Sequence, residues 1–373
     1  MKTNSYKSVI ENLLNSSGIT INGVQPFDLQ IHNEDFYQRI LRSGSLGLGE
    51  AYVEGWWDCD ALEDFFFMAF RADLENKIKN NINTYWQVIK ASLLNLQTKS
   101  RSLEVGKVHY DAGNDLYKSM LDKWMIYSCA YWGNADTLDD AQEHKLDLIC
   151  RKLKLSPGMH LLDIGCGWGG LAKYAAEKYQ VRVTGITISQ EQAKLAAENC
   201  RDLPVDIRIQ DYRDVKEKFD RVVSVGMFEH VGYKNYARYM QAVFDLMEDD
   251  GLFLLHTIGG NQQAKYTDAW INKYIFPNSM IPSAGQVCKA ISNKFKIEDW
   301  HNFGRHYYLT IMAWLQNFEN NWPELSKKYN QQFYRMWKYY LCASAATFRA
   351  RKNNLWQIVF TKENSIADYS SVR

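Results

Sequence analysis

The segment from Leu161 to Gly170, LLDIGCGWGG, constrains the fold of this chain more than any other stretch. It begins as an apolar run typical of a buried strand and then breaks into closely spaced glycines. Gly165 and Gly167 allow the backbone to turn sharply and to approach a ligand closely. The residues that follow favour a helix whose N-terminus points into this turn. A strand, a glycine turn and a helix in this order predict a cofactor-binding site.

Two neighbouring features indicate which cofactor binds. A nicotinamide-binding turn is followed, about 20 residues after its first glycine, by an acidic residue that holds the ribose. Residues 183–188 read VTGITI and contain no acid. Asp163, two residues before Gly165, can meet a cationic group, and S-adenosylmethionine carries both an ammonium and a sulfonium. The turn therefore predicts a methyltransferase, with the alternative that Asp163 only braces the loop.

Composition limits the partners and the compartment. Lys plus Arg number 44 against 43 for Asp plus Glu, so the charge is balanced and no nucleic-acid partner is expected. The seven cysteines form no C-x-x-C pair and the N-terminus has no apolar signal core, which predicts a cytoplasmic protein with free thiols. The sequence has no run of about 18 apolar residues, so membrane contact is expected to be peripheral, at the inner face of the cell membrane.

The sequence predicts a small helical domain at residues 1–100 and the catalytic domain at residues 101–373. A polar linker, QTKSRS, lies at 97–102, and a glycine-rich segment, GSLGLGEAY, lies at 44–52. The aromatic segment 62–70 precedes a stretch richer in base than in acid, whose basic residues are Arg71, Lys77, Lys79, Lys90, Lys99, Arg101 and Lys107. Such a stretch suits an anionic phospholipid membrane surface, but the aromatics could equally pack the domain.

From Met159 onward the chain alternates between strand and helix patterns. Strands are expected at 160–164, 181–186, 205–209, 221–225 and 251–258, with helices at 168–179, 189–200 and 233–248. This rhythm predicts an α/β fold with a mostly parallel, Rossmann-like sheet. A later aromatic helical stretch, 308–345, lies between strands near 295–300 and 355–360. It suits either the roof of a substrate tunnel or the contact surface of a homodimer, which is the expected assembly.

Ligands of such sheets bind beyond the carboxyl ends of the strands. That rule nominates Thr187 after the second strand, Asp211 and Tyr212 after the third, residues 226–230 after the fourth and residues 256–258 after the fifth. Ser189 and Gln192 also fit a capping box, so Gln192 is either a ligand contact or a helix cap.

Several motifs together resemble the cyclopropane-fatty-acid-phospholipid synthase family, which is related to the mycolic acid cyclopropane synthases. In chain order they read HYDAGNDLY, YSCAYW, LLDIGCGWGG, TISQEQ, QDYRD, SVGMFEHVG, LLHTIG and AWINKYIFP. The resemblance runs from the glycine-rich segment near residue 44 to LWQIVF near 360. It implies transfer of a methyl group from S-adenosylmethionine to a cis double bond of a phospholipid acyl chain. Loss of a proton from the resulting carbocation would then close a cyclopropane ring.

The resemblance also implies the site residues. The base is implied to be a bound bicarbonate, held by Cys129, Glu229, His256, the backbone of Ile258, and Tyr307. Tyr308 is adjacent and could be the inward ring instead, and Glu229 and His256 could be only a structural pair. The implied cofactor contacts are Tyr127, Ser128, Gly165, Gly167, Thr187, Gln192 and Tyr212, in addition to Asp163 and Asp211.

One departure from the family pattern concerns a thiol. Many members carry cysteine in the helix before the FRAR segment, and the matching residue here is Ser344, with Cys342 on another helix face. We therefore assign no catalytic thiol there. The rival functions are a lipid methyltransferase of the same fold that makes a methyl-branched or methylene product, a lipid-binding protein without catalysis, and a nicotinamide-dependent oxidoreductase. The missing acid after the second strand disfavours the oxidoreductase.

Overall fold

The computed structural model of the chain describes residues 2–74, 113–264, 266–366 and 368–373. In these ranges the helices are α1 (Lys2–Asn15), α2 (Phe36–Val53), α3 (Leu62–Arg71), α4 (Asn114–Met120), α5 (Leu138–Lys152), α6 (Gly170–Tyr179), α7 (Gln190–Asn199), α8 (Tyr236–Leu246), α9 (Ala269–Tyr274), α10 (Ala284–Ile291), α11 (Gly304–Leu325) and α12 (Gln331–Arg349). The strands are β1 (Gln30–Ile31), β2 (Trp57–Asp58), β3 (His160–Ile164), β4 (Arg182–Thr187), β5 (Val205–Ile209), β6 (Phe219–Val225), β7 (Met247–Gly260), β8 (Phe295–Asn302) and β9 (Asn353–Lys362).

The chain divides into two compact units. The first comprises Met1–Leu94, Lys265–Pro277 and Ile311–Asn353, and the second comprises Asn95–Ala264, Asn278–Thr310 and Asn354–Arg373. The division expected near residue 100 differs from this one, because two later segments belong to the first unit. The polar linker at 97–102 lies outside the described residues.

The first unit is held together by an aromatic core. Tyr339 of α12 packs against Trp270 of α9, with ring centroids 4.5 Å apart, and against Phe66 of α3 at 4.9 Å. Phe65 packs in turn on Trp57, at 5.4 Å. Aromatic rings of α12 and α9 thus complete the core of the N-terminal helices, which is why the later segments join this unit.

The glycine-rich segment at 44–52 lies within α2. Gly44 adopts φ 55° and ψ −133°, which kinks the helix where only glycine is unstrained. Gly49 has a different role, because a Cβ there would lie 2.3 Å from the ring of Trp270. The segment therefore lets a helix bend and lets a tryptophan pack closely against its backbone.

The second unit contains a seven-stranded sheet in the order β5-β4-β3-β6-β7-β9-β8. The pairs β5–β4, β4–β3, β3–β6 and β6–β7 are parallel, whereas β8 and β9 are antiparallel. The predicted α/β fold is confirmed. The strand order reverses direction between β3 and β6, so the carboxyl ends of these two strands form the topological switch point where ligands of such sheets bind.

Apolar side chains alternate between the two faces of this sheet. Leu162 and Phe253 belong to the core on one face, and Leu161 and Leu254 belong to the core on the other. Each is fully buried, and burying such a side chain stabilises a protein by roughly 1.5–3 kcal/mol. Because both faces are covered, the strands read as continuous apolar runs in the sequence.

The later elements agree with the predicted ones apart from their limits. The helical stretch expected at 308–345 is two helices, with Asn330 capping α12 by accepting a hydrogen bond from the backbone N–H of Phe333 at 2.9 Å. Strand β7 begins at Met247, four residues before the predicted start, and a register shift near Phe219 and Arg221 marks this extension. No helix in the described part of the chain is long and apolar enough to cross a membrane.

Candidate active site

The glycine turn joins β3 to α6 at the switch point. Gly165 and Gly167 have φ of +85° and +56°, conformations that favour glycine. The backbone N–H of Gly165 donates to the carbonyl of Ile186 on β4, at 2.9 Å. A Cβ at Gly165 would lie 2.8 Å from Cβ of Met227, whereas a Cβ at Gly167 would meet no described atom within 4 Å. Gly165 is therefore needed for packing, and Gly167 faces open space that a ligand can fill.

Asp163 lies in β3 beside this turn and is only 2% exposed. Its Oδ2 is buried and has no hydrogen-bond partner among the described residues. Burial raises the pKa of Asp163 to about 7, while the charge of Lys145 acts in the opposite direction. An unpaired carboxylate oxygen fits a ligand that brings its own donor, such as the ammonium of S-adenosylmethionine.

The end of β4 carries Thr187 and Gln192. Ser189 caps α7 through its hydroxyl, which accepts from the backbone N–H of Gln192 at 3.3 Å. The Gln192 side chain does not complete a capping box; its Oε1 instead accepts from Thr187 Oγ1 at 3.0 Å. Thr187 and Gln192 thus form a buried polar pair at the carboxyl edge of the sheet, and their contact with the cofactor stays a prediction.

The end of β5 differs from expectation. The carboxylate of Asp211 is held by the Arg213 guanidinium, with contacts of 2.7 and 2.6 Å from Nε and Nη2. Tyr212 packs into the apolar core, with its ring 5.0 Å from Tyr239. Both oxygens of Asp211 accept from Arg213, which balances its charge, and the remaining lone pairs can still accept from a ligand. The predicted contact of Asp211 with the cofactor therefore stays a prediction.

The segment 127–132 is held in place from two sides. On one side, Gln142 Nε2 of α5 donates to the carbonyl of Ser128 at 2.9 Å, and Lys145 Nζ donates to Ser128 Oγ at 3.1 Å. On the other side, Thr310 Oγ1 accepts from the backbone N–H of Ala130 and from Trp132 Nε1, both at 3.0 Å. A loop tied at this many points has a defined conformation.

Aromatic residues adjoin the glycine turn. Trp168 Nε1 donates to Asn114 Oδ1 at 3.0 Å, and the Tyr117 ring lies 4.8 Å from Trp168 and 5.2 Å from Tyr127. These contacts bring Asn114 and Tyr117 of the motif HYDAGNDLY, and Tyr127 of YSCAYW, close to the cofactor turn. Residues 109–112 of the first motif lie outside the described residues.

Glu229 follows β6, and His256 lies in β7. Both side chains are buried. Glu229 Oε1 accepts from the backbone N–H of Ile258 at 2.7 Å, while Oε2 has no partner among the described residues. Burial raises the pKa of Glu229 to about 7. The Ile258 amide is therefore engaged by Glu229, which corrects the expectation that it donates to a bound anion.

His256 contacts Gln357 of β9. Gln357 Nε2 lies 3.3 Å from His256 Nδ1, and with the Gln357 amide in this orientation Nδ1 accepts and the ring proton is on Nε2. Nε2 is buried and has no partner in the described part of the chain. Burial lowers the pKa of His256 well below its usual value, so the ring is neutral. His256 therefore offers one N–H donor, and Glu229 offers one acceptor oxygen.

Cys129 and Tyr307 complete the cluster. Cys129, Phe303 and Leu355 form a small apolar core against which Ile258 and Tyr307 pack, and the Phe303 ring lies 6.0 Å from His256. Tyr307 rather than Tyr308 thus faces this cluster. Burial raises the pKa of the Cys129 thiol well above its usual value, so it stays protonated at neutral pH. All five implied catalytic residues lie in one region of the second unit.

Sequence reasoning missed three residues that shape the site: Lys145, Thr310 and Gln357. Lys145 interrupts the apolar face of α5, which also carries Leu146 and Ile149, and a lysine at a core position was a signal that could have been noticed. Gln357 and Thr310 gave no such signal, because their partners lie 101 and about 180 residues away in the chain.

The thiol of Cys342 lies in the first unit and is 2% exposed. Burial raises its pKa to about 12, so it is neither ionised nor accessible at neutral pH. This agrees with assigning it no catalytic role.

Known proteins resemble the chain over most of its length. A family model described as mycolic acid cyclopropane synthetase matches residues 97–358. The cyclopropane-fatty-acyl-phospholipid synthase of Escherichia coli (strain K12) is 52% identical over 358 residues, which cover 96% of this chain and 94% of that protein. A probable fatty acid methyltransferase of Pseudomonas putida is 40% identical over 278 residues, covering 71% of this chain and 70% of that protein.

Solved structures agree with the sequence relationship. The cyclopropane synthase MmaA2 from Mycobacterium tuberculosis gives a TM-score of 0.67 at 29% identity, covering 72% of this chain and 99% of that chain. The mycolic acid cyclopropane synthase CmaA1, complexed with SAH and CTAB, gives 0.66 at 31% identity, covering 70% and 98%. The chain therefore belongs to the mycolic acid cyclopropane synthetase family and is an S-adenosylmethionine-dependent methyltransferase, as its motifs predicted.

Proposed function

We propose that this enzyme adds a methylene group from S-adenosylmethionine across the cis double bond of an unsaturated phospholipid acyl chain, forming a cyclopropane fatty acid. The observation that carries the proposal is the pair of unpartnered buried atoms, His256 Nε2 and Glu229 Oε2, in the same unit as the cofactor turn. The 52% identity to the Escherichia coli cyclopropane-fatty-acyl-phospholipid synthase supports the same substrate class.

The chemistry requires a dry, weakly nucleophilic site. S-adenosylmethionine supplies an electrophilic methyl group, and its transfer to an alkene leaves a carbocation that water would quench. Glu229, His256 and Cys129 are each at most 7% exposed. Because the Cys129 thiol stays protonated, it is a poor nucleophile toward the cation. The aromatic ring of Phe303 lies beside His256 and Cys129, and aromatic faces stabilise positive charge without attacking it as lone pairs do.

A small bound anion fits the polar part of the site. Bicarbonate would supply the base that removes a proton from the added methyl group. The His256 Nε2–H can donate to such an anion, and Glu229 Oε2 can accept the hydrogen of its hydroxyl. The Ile258 amide acts on the anion indirectly, because it donates to Glu229 Oε1 and so fixes the direction of Oε2. Without that hydroxyl hydrogen, the Glu229 carboxylate would repel the anion.

The membrane and assembly proposals rest on the sequence. Phe65 and Phe66 are buried in the aromatic core of the first unit, so they are not membrane anchors. Of the basic stretch, Arg71 is described and exposed, and the rest lies outside the described residues. We propose that this basic stretch binds the surface of anionic phospholipid membranes at the inner face of the cell membrane. The homodimer expected from the sequence stays a prediction.

Mass spectrometry of phospholipid acyl chains tests the function. We expect incubation of the enzyme and S-adenosylmethionine with unsaturated phospholipid vesicles to add one methylene per reacted chain and to remove the olefin. A methylene product would retain a double bond, and a product with that property would support the alternative lipid methyltransferase. Lipid binding without any mass change would instead support a binding protein without catalysis.

Bicarbonate is tested separately with degassed enzyme. We expect depletion of dissolved carbon dioxide to slow turnover and added bicarbonate to restore it. His256→Ala should lose roughly 10²- to 10⁴-fold in turnover, the usual contribution of positioned proton transfer, with near-normal cofactor affinity. Full turnover without bicarbonate would make Glu229 or His256 itself the base.

A further inference from the structure

Lys145 is a buried cation in the second unit that the proposed chemistry does not use. It projects from α5 and is 1% exposed. Burying an ammonium is costly unless other groups compensate its charge. The hydrogen bond of Lys145 in the described part of the chain goes to a neutral hydroxyl, Ser128 Oγ, at 3.1 Å. Lys152, two turns later on the same helix, instead lies 3.2 Å from the Asp299 carboxylate. Lys145 makes no such ion pair in the described part of the chain, and its charge is offset at longer range, first by the buried Asp122 carboxylate and then by Asp163.

The contact with Lys145 sets the direction of the Ser128 hydroxyl. An ammonium group can only donate hydrogen bonds, so Ser128 Oγ must accept from it. The hydroxyl proton of Ser128 therefore points away from Lys145 and is available to an acceptor. The carbonyl of Ser128 is already bound by Gln142 Nε2, at 2.9 Å, which fixes the backbone at the same residue.

Ser128 lies close to the switch point of the sheet. A Cβ on Gly226, which follows β6, would be 3.9 Å from Cβ of Ser128. Strand β6 pairs with β3, so Gly226 and the glycine turn follow adjacent strands. Asp163, near the end of β3, has an unpaired buried oxygen and lies within the electrostatic influence of Lys145. The switch point therefore presents a carboxylate acceptor and a hydroxyl donor backed by a cation.

We propose that Lys145 is a positioning residue that directs the Ser128 hydroxyl as a donor to the carboxylate at the methionine end of the cofactor. That end is a zwitterion with an ammonium and a carboxylate. Asp163 complements the ammonium, and the Ser128–Lys145 pair complements the carboxylate. The inference deepens the proposed function, because it rests on the use of S-adenosylmethionine.

Binding of two ligands without turnover tests this role. S-adenosylhomocysteine carries the amino-acid end, whereas 5′-methylthioadenosine keeps the nucleoside and thioether but lacks it. By calorimetry we expect Lys145→Met to weaken S-adenosylhomocysteine about 10- to 100-fold, the range for a charge-assisted hydrogen bond. Affinity for 5′-methylthioadenosine should be unchanged. Ser128→Ala should show the same selective loss, and the double variant should lose little more than either single one.

Lys152→Met is the matched control, since it removes a fully buried lysine from the same helix while Arg373 remains bound to Asp299. It should leave the affinity ratio of the two ligands unchanged. An equal loss for both ligands in Lys145→Met, or a loss for neither, would overturn the positioning role. If Lys145→Met does not fold, Ser128→Ala decides, because an unselective result there also rejects the proposal. Wild-type enzyme that binds neither ligand would instead reject the cofactor assignment on which the proposed function depends.

Discussion

Among the buried polar atoms without partners in the described part of the chain, three lie at the strand ends where we expect ligand atoms: Asp163 Oδ2, Glu229 Oε2 and His256 Nε2. Leaving a buried polar group unsatisfied costs about 1–3 kcal/mol. Each of the three lies in or directly after a strand of the parallel part of the sheet. A fold that tolerates this cost at neighbouring strand ends is arranged for a ligand that supplies the missing hydrogen bonds.

Gly167→Ala tests, by adding a single methyl group, whether the cofactor binds against the glycine turn. The added methyl would enter open space that we assign to the cofactor. We expect calorimetry to show S-adenosylhomocysteine affinity reduced at least about tenfold, since overlap in a packed contact costs roughly 1–3 kcal/mol. Gly158→Ala is the matched control, because Gly158 has φ +86° and also faces open space but lies before β3. Undiminished affinity in Gly167→Ala would remove Gly167 from the site.

Glu229→Gln should stabilise the protein while impairing catalysis. The pKa of Glu229 is raised from 4.5 to about 7 in the folded state, so ionisation opposes folding. This destabilisation is absent below pH 4.5, grows as pH rises and is complete above pH 7, where it reaches on the order of 3 kcal/mol. Glutamine does not titrate and can still accept from the Ile258 amide.

Urea unfolding of wild type and Glu229→Gln at pH 5 and pH 8 measures this effect. The variant should gain stability over wild type at pH 8 and much less at pH 5, and its turnover should fall roughly 10²- to 10⁴-fold. Equal stability differences at both pH values would show that the Glu229 carboxyl titrates normally.

At the scale of elements, Thr310 ties the start of α11 to the segment 127–132. Its hydroxyl accepts from Ala130 and Trp132 and donates to the carbonyl of His306, at 2.7 Å. His306 Nδ1 also accepts from the backbone N–H of Trp132, at 2.8 Å. The segment that carries Ser128 and Cys129 therefore depends on a helix about 180 residues later in the chain.

Thr310→Val keeps the side-chain shape but leaves two donors without their acceptor, the buried N–H of Ala130 and the part-buried Nε1 of Trp132. We expect a loss of about 2–4 kcal/mol in unfolding free energy and a parallel loss of turnover. Thr310→Ser retains the hydroxyl and should lose about 1 kcal/mol, mainly from the missing methyl group. Chemical denaturation compares the two, and a valine variant as stable as the serine variant would mean that the hydroxyl does not hold this loop.

The elements could be predicted from the sequence because their signals are local. Apolar runs, glycine turns and helix periodicity lie within a few residues of one another, so β3 to β7 were located correctly. The hydrogen bonds of the site were not predictable in the same way. Arg213 engages Asp211, and the Ile258 amide engages Glu229, because of backbone geometry that the sequence does not display. The pairing of Gln357 with His256 depends on how β9 joins the sheet.

At the scale of the whole molecule, the two compact units do not follow a single boundary near residue 100. The first unit draws in 265–277 and 311–353, because α9 and α12 supply aromatic rings to its core. A single boundary in the sequence cannot describe this arrangement, because the chain leaves the first unit and returns to it twice. The sequence does show that residues 308–345 are rich in aromatic residues. That enrichment is equally compatible with a tunnel roof, a dimer surface or a contribution to the core of another unit.

The proposed binding of the basic stretch to anionic membranes can be tested on the whole protein. We expect sedimentation with anionic vesicles that weakens as salt rises, because surface charges are screened over about 10 Å at 0.1 M. Lys77→Glu combined with Lys79→Glu should reduce sedimentation. Lys194→Glu combined with Lys289→Glu makes the same change in net charge at exposed positions of the second unit and should reduce it far less. Equal losses from both pairs would indicate an effect of net charge alone.

The most direct test of the proposed reaction follows the transferred group itself. S-adenosylmethionine with a fully deuterated methyl group is incubated with the enzyme and unsaturated phospholipid vesicles, and the acyl products are analysed by mass spectrometry and by NMR. Ring closure requires the added methyl to lose one hydrogen, so the account predicts a saturated cyclopropane product in which the bridging carbon carries two deuterons. A product that keeps all three deuterons, or one that retains an olefin, would contradict it.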